Sequence, residues 1–161
     1  MVPPIFSGFF RFGASPEVDV LTRHGSEAGR ILVAEGSMSE REVRKSAKAV
    51  DWREVSAGKG ARSQVLLGPD DGTPHFAMRR FQMDVGGGMP LHTNTVEHEQ
   101  FVLRGRARIR IGEGVHEVGP EDVLFIPAGV PHAYEVLEGP FEFLCMVPNL
   151  PDRIEIVEGR R

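Results

Sequence analysis

Residues 86–105 read GGGMPLHTNTVEHEQFVLRG, and residues 121–132 read EDVLFIPAGVPH. Each stretch joins a glycine- or proline-containing turn to a short run rich in apolar residues, which is typical of strands that begin or end at tight turns. The two stretches also contain three of the six histidines of the chain, His92, His98 and His132. They therefore decide both the fold class and the chemistry that we expect.

The same alternation of apolar and polar residues extends outward from these stretches over most of the chain. It predicts strands near 50–55, 64–67, 75–85, 98–104, 106–111, 115–118, 123–126, 132–137 and 141–147. Glycine and proline clusters separate them, at 86–88, at 105 and at 138–140 among other places. Many short strands at regular spacing predict an all-β sandwich or barrel.

The first 49 residues follow a different pattern. Residues 1–14, with four phenylalanines, are predicted to be an apolar arm, and residues 15–25 have the capping residues of a short helix. Ser39 and Glu42 are spaced as a capping box, and the apolar positions 43, 47 and 50 predict one face of a second helix. We therefore divide the chain into an N-terminal extension of short helices and irregular structure, residues 1–49, and a β-barrel, residues 50–161.

Composition and charge exclude several classes of partner. The net charge is −4, and the basic residues near 41–48 are interpreted as a solvated helix face, so we expect no nucleic acid partner. No apolar run reaches the length of a membrane span, and the N-terminus has no signal-peptide pattern. Because Cys145 is the single cysteine, a reducing, cytoplasmic location is expected.

The three histidines beside the turns are candidate metal ligands. A neutral imidazole binds zinc, iron, nickel, copper and manganese, and three such ligands leave open positions on the ion for a substrate. The alternative, ordinary surface histidines, stays open on spacing alone.

The period of a strand adds neighbours to these histidines. Gln100 shares a face with His98, Tyr134 with His132, and Asn94 with His92 if that segment is extended, whereas Glu97 and Glu99 point the other way. Gln100 is a candidate for holding substrate or for satisfying a backbone group, and Tyr134 is a candidate proton donor or a buried structural tyrosine. Cys145 is interpreted as a small buried apolar residue.

Residues 86–105 resemble the first cupin motif, and residues 121–132 resemble the second. The resemblance covers about residues 64–148 and is strongest to small single-domain proteins of the cupin-2 type. It implies a double-stranded β-helix, or jelly-roll barrel, with metal ligands at His92, His98 and His132. The position of the family's second motif-one histidine is Asn94, which would bind a metal weakly, bind it through water, or leave three ligands.

The resemblance also implies a function. Small cupins include metal-dependent dioxygenases, isomerases, decarboxylases and lyases, so we expect one divalent transition metal (Mn, Fe, Zn, Ni or Cu), a small-molecule substrate and a homodimer. A dioxygenase-like oxidation is the first choice, because a shell rich in imidazole and free of carboxylate suits a redox metal. The alternatives are a metal-dependent isomerase or lyase and a non-catalytic binding module.

Overall fold

The computed structural model describes residues 42–157, whose regular structure is almost entirely β. Its strands are β1 (Arg53–Glu54), β2 (Lys59–Leu67), β3 (Phe76–Asn94), β4 (His98–Ile111), β5 (Gly114–Val118), β6 (Val123–Ile126), β7 (His132–Pro148) and β8 (Ile154–Ile156). Two 3₁₀ turns, Ala47–Ala49 and Pro69–Asp71, complete the list. The all-β prediction is confirmed, while the predicted apolar arm and the helix at 15–25 lie outside the described residues.

Three long strands hold the fold together. The strands pair in the order β1-β2-β3-β7-β4-β5, all neighbours antiparallel, with β6 added to β4 and β8 added to β3. On the edge away from β7, β4 pairs with β6 through residues 98–101 and with β5 through residues 107–111. β3 likewise pairs first with β2 and then with β8. Strands that change partner along their length curl the sheet around one interior.

The strand breaks predicted at 86–88, 105 and 138–140 are wrong, whereas those predicted near 112–114, 119–120 and 127–129 are confirmed. β3 continues through Gly88, β4 continues through Gly105, and β7 continues through residues 138–140, each with a register shift nearby. Glycine permits the bend without ending the ladder. At Gly105 the φ angle is 76°, and an added Cβ would lie 2.6 Å from the carbonyl oxygens of Glu138 and Pro140.

The helix predicted after Ser39 is also wrong for residues 42–50. The only helical element there is the 3₁₀ turn at Ala47–Ala49, capped by the side chain of Ser46. Gln64 of β2 donates hydrogen bonds from Nε2 to the carbonyl oxygens of Ala47 and Val50, at 3.0 and 2.5 Å. These bonds hold the segment against the sheet in a form that the apolar spacing alone did not predict. None of the helical turns among residues 42–157 is long enough to span a membrane.

The interior of the barrel is apolar in one part and polar in another. The buried apolar side chains include Val102, Ala107, Ile109, Ile126, Phe141 and Phe143. The buried polar side chains include His92, Asn94, His98, Gln100 and His132. Burying so many polar groups is costly unless they have partners or a ligand, so this part of the barrel is where a functional site is expected.

The arginine row predicted on β4 lies on the outer surface. Arg106, Arg108 and Arg110 are exposed and alternate with inward-facing apolar residues, as predicted. Arg106 and Arg108 pair with glutamates on β5 and β7, at distances of 2.8 to 3.5 Å. Such exposed pairs contribute little stability, and these carboxylates compete with any external anion.

Candidate functional site

All six residues selected from the sequence line one pocket inside the barrel. Asn94 and His92 come from β3, His98 and Gln100 from β4, and His132 and Tyr134 from β7. The pocket and its mouth enclose about 390 Å³. Burial confirms the strand parity, because His98 and Gln100 are buried whereas Glu97 is exposed and Glu99 is half-buried.

His92 and His132 face each other across the ladder between β3 and β7. The two residues are direct register partners, and their ring centroids are 4.2 Å apart. His92 Nδ1 lies 2.8 Å from the carbonyl oxygen of Pro90, and His132 Nδ1 lies 2.8 Å from that of Val130. Since a carbonyl oxygen only accepts, each Nδ1 carries the proton and each Nε2 keeps its lone pair. This is the arrangement of histidines that ligate metals through Nε2.

His98 lies near the same pair but has different partners. Its ring centroid is 5.5 Å from that of His132. Its Nδ1 lies 3.1 Å from Nη2 of Arg79 and 3.6 Å from Sγ of Cys145. Because a guanidinium only donates, Nδ1 of His98 accepts, and the proton of the neutral ring is on Nε2. Ligation through Nε2 therefore requires His98 to change its tautomer and its contact with Arg79.

Burial keeps the three imidazoles neutral. It lowers the pKa of His98 to about 3, with the charge of Arg79 acting in the same direction. Burial lowers the pKa of His132 to about 4 and also lowers that of His92. Neutral imidazole is the form that binds metals. Within residues 42–157, however, no three His, Cys, Asp or Glu side chains converge as a formed metal-binding group, so metal ligation stays a prediction.

Gln100 and Tyr134 form a buried pair in the pocket wall. Gln100 Nε2 donates to the Tyr134 hydroxyl oxygen at 2.7 Å, and Gln100 Oε1 is buried without a partner. Burial raises the pKa of Tyr134, so the phenol is neutral. The pair thus offers a ligand one free acceptor, Gln100 Oε1, and one free donor, the phenol proton. These are groups that can position a polar molecule.

Two charged residues outside the sequence predictions belong to this neighbourhood: Arg79 lines the pocket, and Asp152 contacts Asn94 and Arg79. Asn94 Nδ2 donates to both carboxylate oxygens of Asp152, each at 2.9 Å. Asp152 Oδ2 is in turn 3.7 Å from Nη1 of Arg79. A carboxylate therefore lies close to the histidines. The expectation of a redox metal rested on a site without carboxylate, so that reason does not hold.

Cys145 is buried, as predicted, but it is more than a packing residue. Arg79 Nη2 donates to its Sγ at 3.3 Å, and the same sulfur lies beside His98. Burial raises the pKa of the thiol. A neutral thiol is a poor nucleophile, so the structure gives Cys145 a contact with the site and no nucleophilic activation.

The sequence contains a signal for one of the two missed residues. Arg79 shares the parity of the inward positions Ala77, Phe81 and Met83 of β3, so the period of the strand places it inside the barrel. Asp152 follows the last predicted strand and precedes β8, which the sequence analysis did not predict. β8 pairs with the end of β3 through His92, Thr93 and Asn94, and this pairing brings Asp152 into contact with Asn94 and Arg79.

Several known proteins are similar to this chain in sequence or in fold. A family model described as Cupin domain (Cupin_2) matches residues 79–147. The solved structure of a cupin 2 domain-containing protein from Halorhodospira halophila is 30% identical with a TM-score of 0.57, over 62% of this chain and 71% of that one. The structure of the polyketide cyclase RemF from Streptomyces resistomycificus is 27% identical with a TM-score of 0.66, over 73% of this chain and 88% of that one.

A curated relative has a named activity. The 1-methylthio-D-xylulose 5-phosphate methylsulfurylase of Rhodospirillum rubrum is 29% identical over 86 residues, which are 49% of this chain and 55% of that protein. The chain thus spans about half the length of the curated relative that it matches. The matches agree on the barrel and differ in the activities that are named for them.

Proposed function

Because the chain belongs to the cupin-2 family, we propose that it is a metal-dependent enzyme in which His92, His98 and His132 hold one divalent transition metal. The observation that carries this proposal is the set of three buried, neutral imidazoles, two of them with Nε2 unprotonated. When bound, a divalent ion such as Mn, Fe, Ni, Cu or Zn supplies Lewis-acid polarisation of a substrate oxygen or, if redox-active, electron transfer.

Asn94 is proposed as a fourth, weaker ligand. Its Nδ2 is committed to the carboxylate of Asp152, because a carboxylate only accepts hydrogen bonds. The amide oxygen is therefore the atom of Asn94 that is left for a metal. An amide oxygen is a harder and weaker ligand than an imidazole nitrogen.

Gln100 and Tyr134 are proposed to bind and orient the substrate. The unpartnered Gln100 Oε1 accepts from a substrate hydroxyl or amine, and the phenol of Tyr134 donates to a substrate oxygen. Because the raised pKa keeps Tyr134 protonated, it holds a proton at the reacting molecule and does not act as a base.

Non-oxidative rearrangement or lysis is the reaction class that the pocket favours. Arg79 and Asp152 provide a fixed cation and a carboxylate beside the histidines, the groups that stabilise and exchange charge in isomerase and lyase chemistry. The similarity to RemF supports the same reaction class, because RemF is named as a polyketide cyclase. Oxygen-dependent oxidation is the second candidate, and the three neutral imidazoles favour it because they suit iron and copper.

A comparison of aerobic and anaerobic turnover tests these alternatives. Metal-loaded protein would be incubated with a panel of small hydroxy acids, oxo acids and phenols, with His132→Ala as the control, and the products followed by mass spectrometry. Turnover without oxygen supports the isomerase or lyase class, and turnover coupled to oxygen consumption supports the oxidase class. A protein that binds metal and ligands but turns over none of them would be a binding module, which contradicts the enzyme proposal.

We also propose that the protein acts as a homodimer. Phe101 and Val123 are paired residues on β4 and β6, and with Phe125 they form an exposed apolar face. Among the described strands, β6 pairs with β4 alone, so one of its edges is open. A second copy of the chain that covers this face would bury the apolar side chains and protect the open edge of β6. Light scattering on wild type and Phe125→Lys tests this: a dimer that becomes a monomer is expected.

A further inference from the structure

We propose that Arg79 forms an anion-binding subsite beside the three histidines, which makes small organic anions the ligand class of the pocket. The group recognised is an oxyanion, a carboxylate or a phosphate, attached to a partly apolar body. Calling this ligand a substrate rests on the proposed function, whereas the subsite itself does not.

The guanidinium of Arg79 lacks a firm anionic partner. Its Nη2 contacts the imidazole of His98 at 3.1 Å and the sulfur of Cys145 at 3.3 Å, and neither a neutral ring nor a thiol balances a positive charge. Its Nε is buried and has no hydrogen-bond partner. The side chain is only 20% exposed, so water compensates the charge poorly.

Asp152 satisfies Arg79 only in part. Its carboxylate lies 3.7 Å from Nη1, beyond hydrogen-bond distance, and both of its oxygens already accept from Asn94. Other arginines of the barrel are paired closely: Arg80 lies 2.5 Å from Glu142, and Arg108 lies 2.8 Å from Glu135. Arg79 thus has unused donors inside a pocket, where a planar guanidinium can bind an oxyanion with two parallel hydrogen bonds.

The surroundings of Arg79 define the rest of the ligand. Its guanidinium carbon lies 5.2 Å from the ring centre of Phe81. Phe81 stacks on Phe143 and Phe143 stacks on Tyr134, with ring centres 5.2 and 5.6 Å apart. A row of aromatic rings therefore connects Arg79 with the hydrogen-bonded pair of Tyr134 and Gln100. A pocket that is lined by apolar and polar side chains and open to solvent suits a small molecule with an apolar body and one charged end.

A titration of metal-free protein tests the subsite without relying on catalysis. Benzoate and phenyl phosphate serve as anionic probes and benzamide as the neutral counterpart. Calorimetry measures the affinities of wild type and variants, and ¹⁵N NMR at the Arg79 Nε–H of wild type locates the binding. We expect benzoate, phenyl phosphate or both to bind and to shift this signal, while benzamide leaves it unchanged. The stronger of the two anions identifies the oxyanion that the subsite prefers.

Two substitutions should move the affinity in opposite directions. Arg79→Met should weaken binding of the preferred anion by about tenfold or more, the amount expected for a lost charged hydrogen bond. Asp152→Asn removes the competing carboxylate and should tighten the same binding several-fold. Arg110→Met, on the exposed outer row, is the matched control and should leave the affinity as in wild type.

Several results would overturn the subsite. These are binding of benzamide as tight as that of the preferred anion, no binding of either anion to wild type, or undiminished anion binding by Arg79→Met. The comparison of charged and neutral probes on wild type decides the matter even if Arg79→Met does not fold. Metal uptake is measured separately. A protein that binds the anion but takes up no metal would leave the subsite intact and overturn the metal-dependent enzyme, whereas a protein that takes up metal but binds neither anion would overturn the subsite alone.

Discussion

His92 and His132 lie opposite each other on β3 and β7 with their ring centroids 4.2 Å apart, and each ring donates from Nδ1 to a carbonyl oxygen two residues earlier in the chain. The pairing of two central strands sets the separation, and the backbone sets the tautomer. Neither depends on a bound ion. The two Nε2 atoms are therefore held ready in the metal-free protein, which reduces the cost of ordering them when a ligand binds.

Acid should destabilise the metal-free protein because His98 and His132 are buried as neutral rings. Their ordinary pKa is 6.5, and burial lowers it to about 3 and about 4 in the folded state. The unfolded chain therefore takes up protons below pH 6.5 that the folded chain does not, so stability is complete above 6.5 and is lost as the pH falls toward 4. The free energy of unfolding should fall by about 1 kcal/mol per pH unit for each residue.

Denaturant unfolding in EDTA between pH 6.5 and 5 measures this slope. His98→Gln should reduce it, because one of the buried neutral rings that take up protons on unfolding is removed. His116→Gln alters an exposed histidine of β5 and is the matched control, so its slope should equal that of wild type. A stability that does not change over this pH range would contradict the burial of neutral rings.

Tyr134→Phe should destabilise the protein by about 1–3 kcal/mol, the cost of leaving a buried donor without a partner. The phenylalanine keeps the stacking on Phe143, so the loss comes from Gln100 Nε2. Gln100→Leu removes the other partner, and thermal unfolding of the two single variants and the double variant completes a cycle. The double variant should be less destabilised than the sum of the two single variants. Additive losses would show that the hydrogen bond contributes nothing.

Gly105→Ala should destabilise the barrel more than Gly129→Ala. Both glycines have left-handed φ angles, 76° and 75°, so both substitutions carry a backbone cost of about 1–2 kcal/mol. At Gly105 the new Cβ would also clash with two carbonyl oxygens, whereas at Gly129 nothing lies within 4 Å. We expect a loss of more than about 2 kcal/mol at Gly105. Equal melting temperatures for the two variants would contradict the close approach of β4 and β7.

Asn94→Ala should weaken metal binding by about tenfold, less than the loss of a histidine, if the amide oxygen is a ligand. Asn94→His should strengthen binding relative to wild type, because imidazole is the better ligand for the transition metals considered. Competition against a fluorescent chelator measures both affinities. An Asn94→Ala affinity equal to that of wild type would exclude Asn94 from the metal shell.

Strand parity was the most productive guide in the sequence. Residues two positions apart on a strand lie on the same side of the sheet. This rule predicted Gln100 beside His98 and Tyr134 beside His132, and all four line one pocket. The three histidines come from three strands that are adjacent in the sheet but distant in the chain. Only the resemblance of residues 86–105 and 121–132 to the two cupin motifs, which implies the barrel topology, indicated that the three histidines meet.

Contacts that depend on the path of the chain could not be predicted. Asp152 reaches the neighbourhood of the pocket because β8 returns to pair with the end of β3, and nothing in residues 149–157 marks that return. The glycines at 86–88 and 105 have the composition of turns, yet they bend continuous strands, and the difference lies in the neighbouring strand that continues the ladder. The tautomer of His98 depends on Arg79, which is 19 residues away in sequence.

The metal content of protein purified without an affinity tag tests the central claim most directly, with His98→Ala prepared in parallel. If the three histidines hold a metal, mass spectrometry should find about one equivalent of manganese, iron, nickel, copper or zinc per chain in wild type. The His98→Ala variant should lose this metal. A wild-type protein that holds no metal, even after incubation with each of these ions, would contradict the central claim.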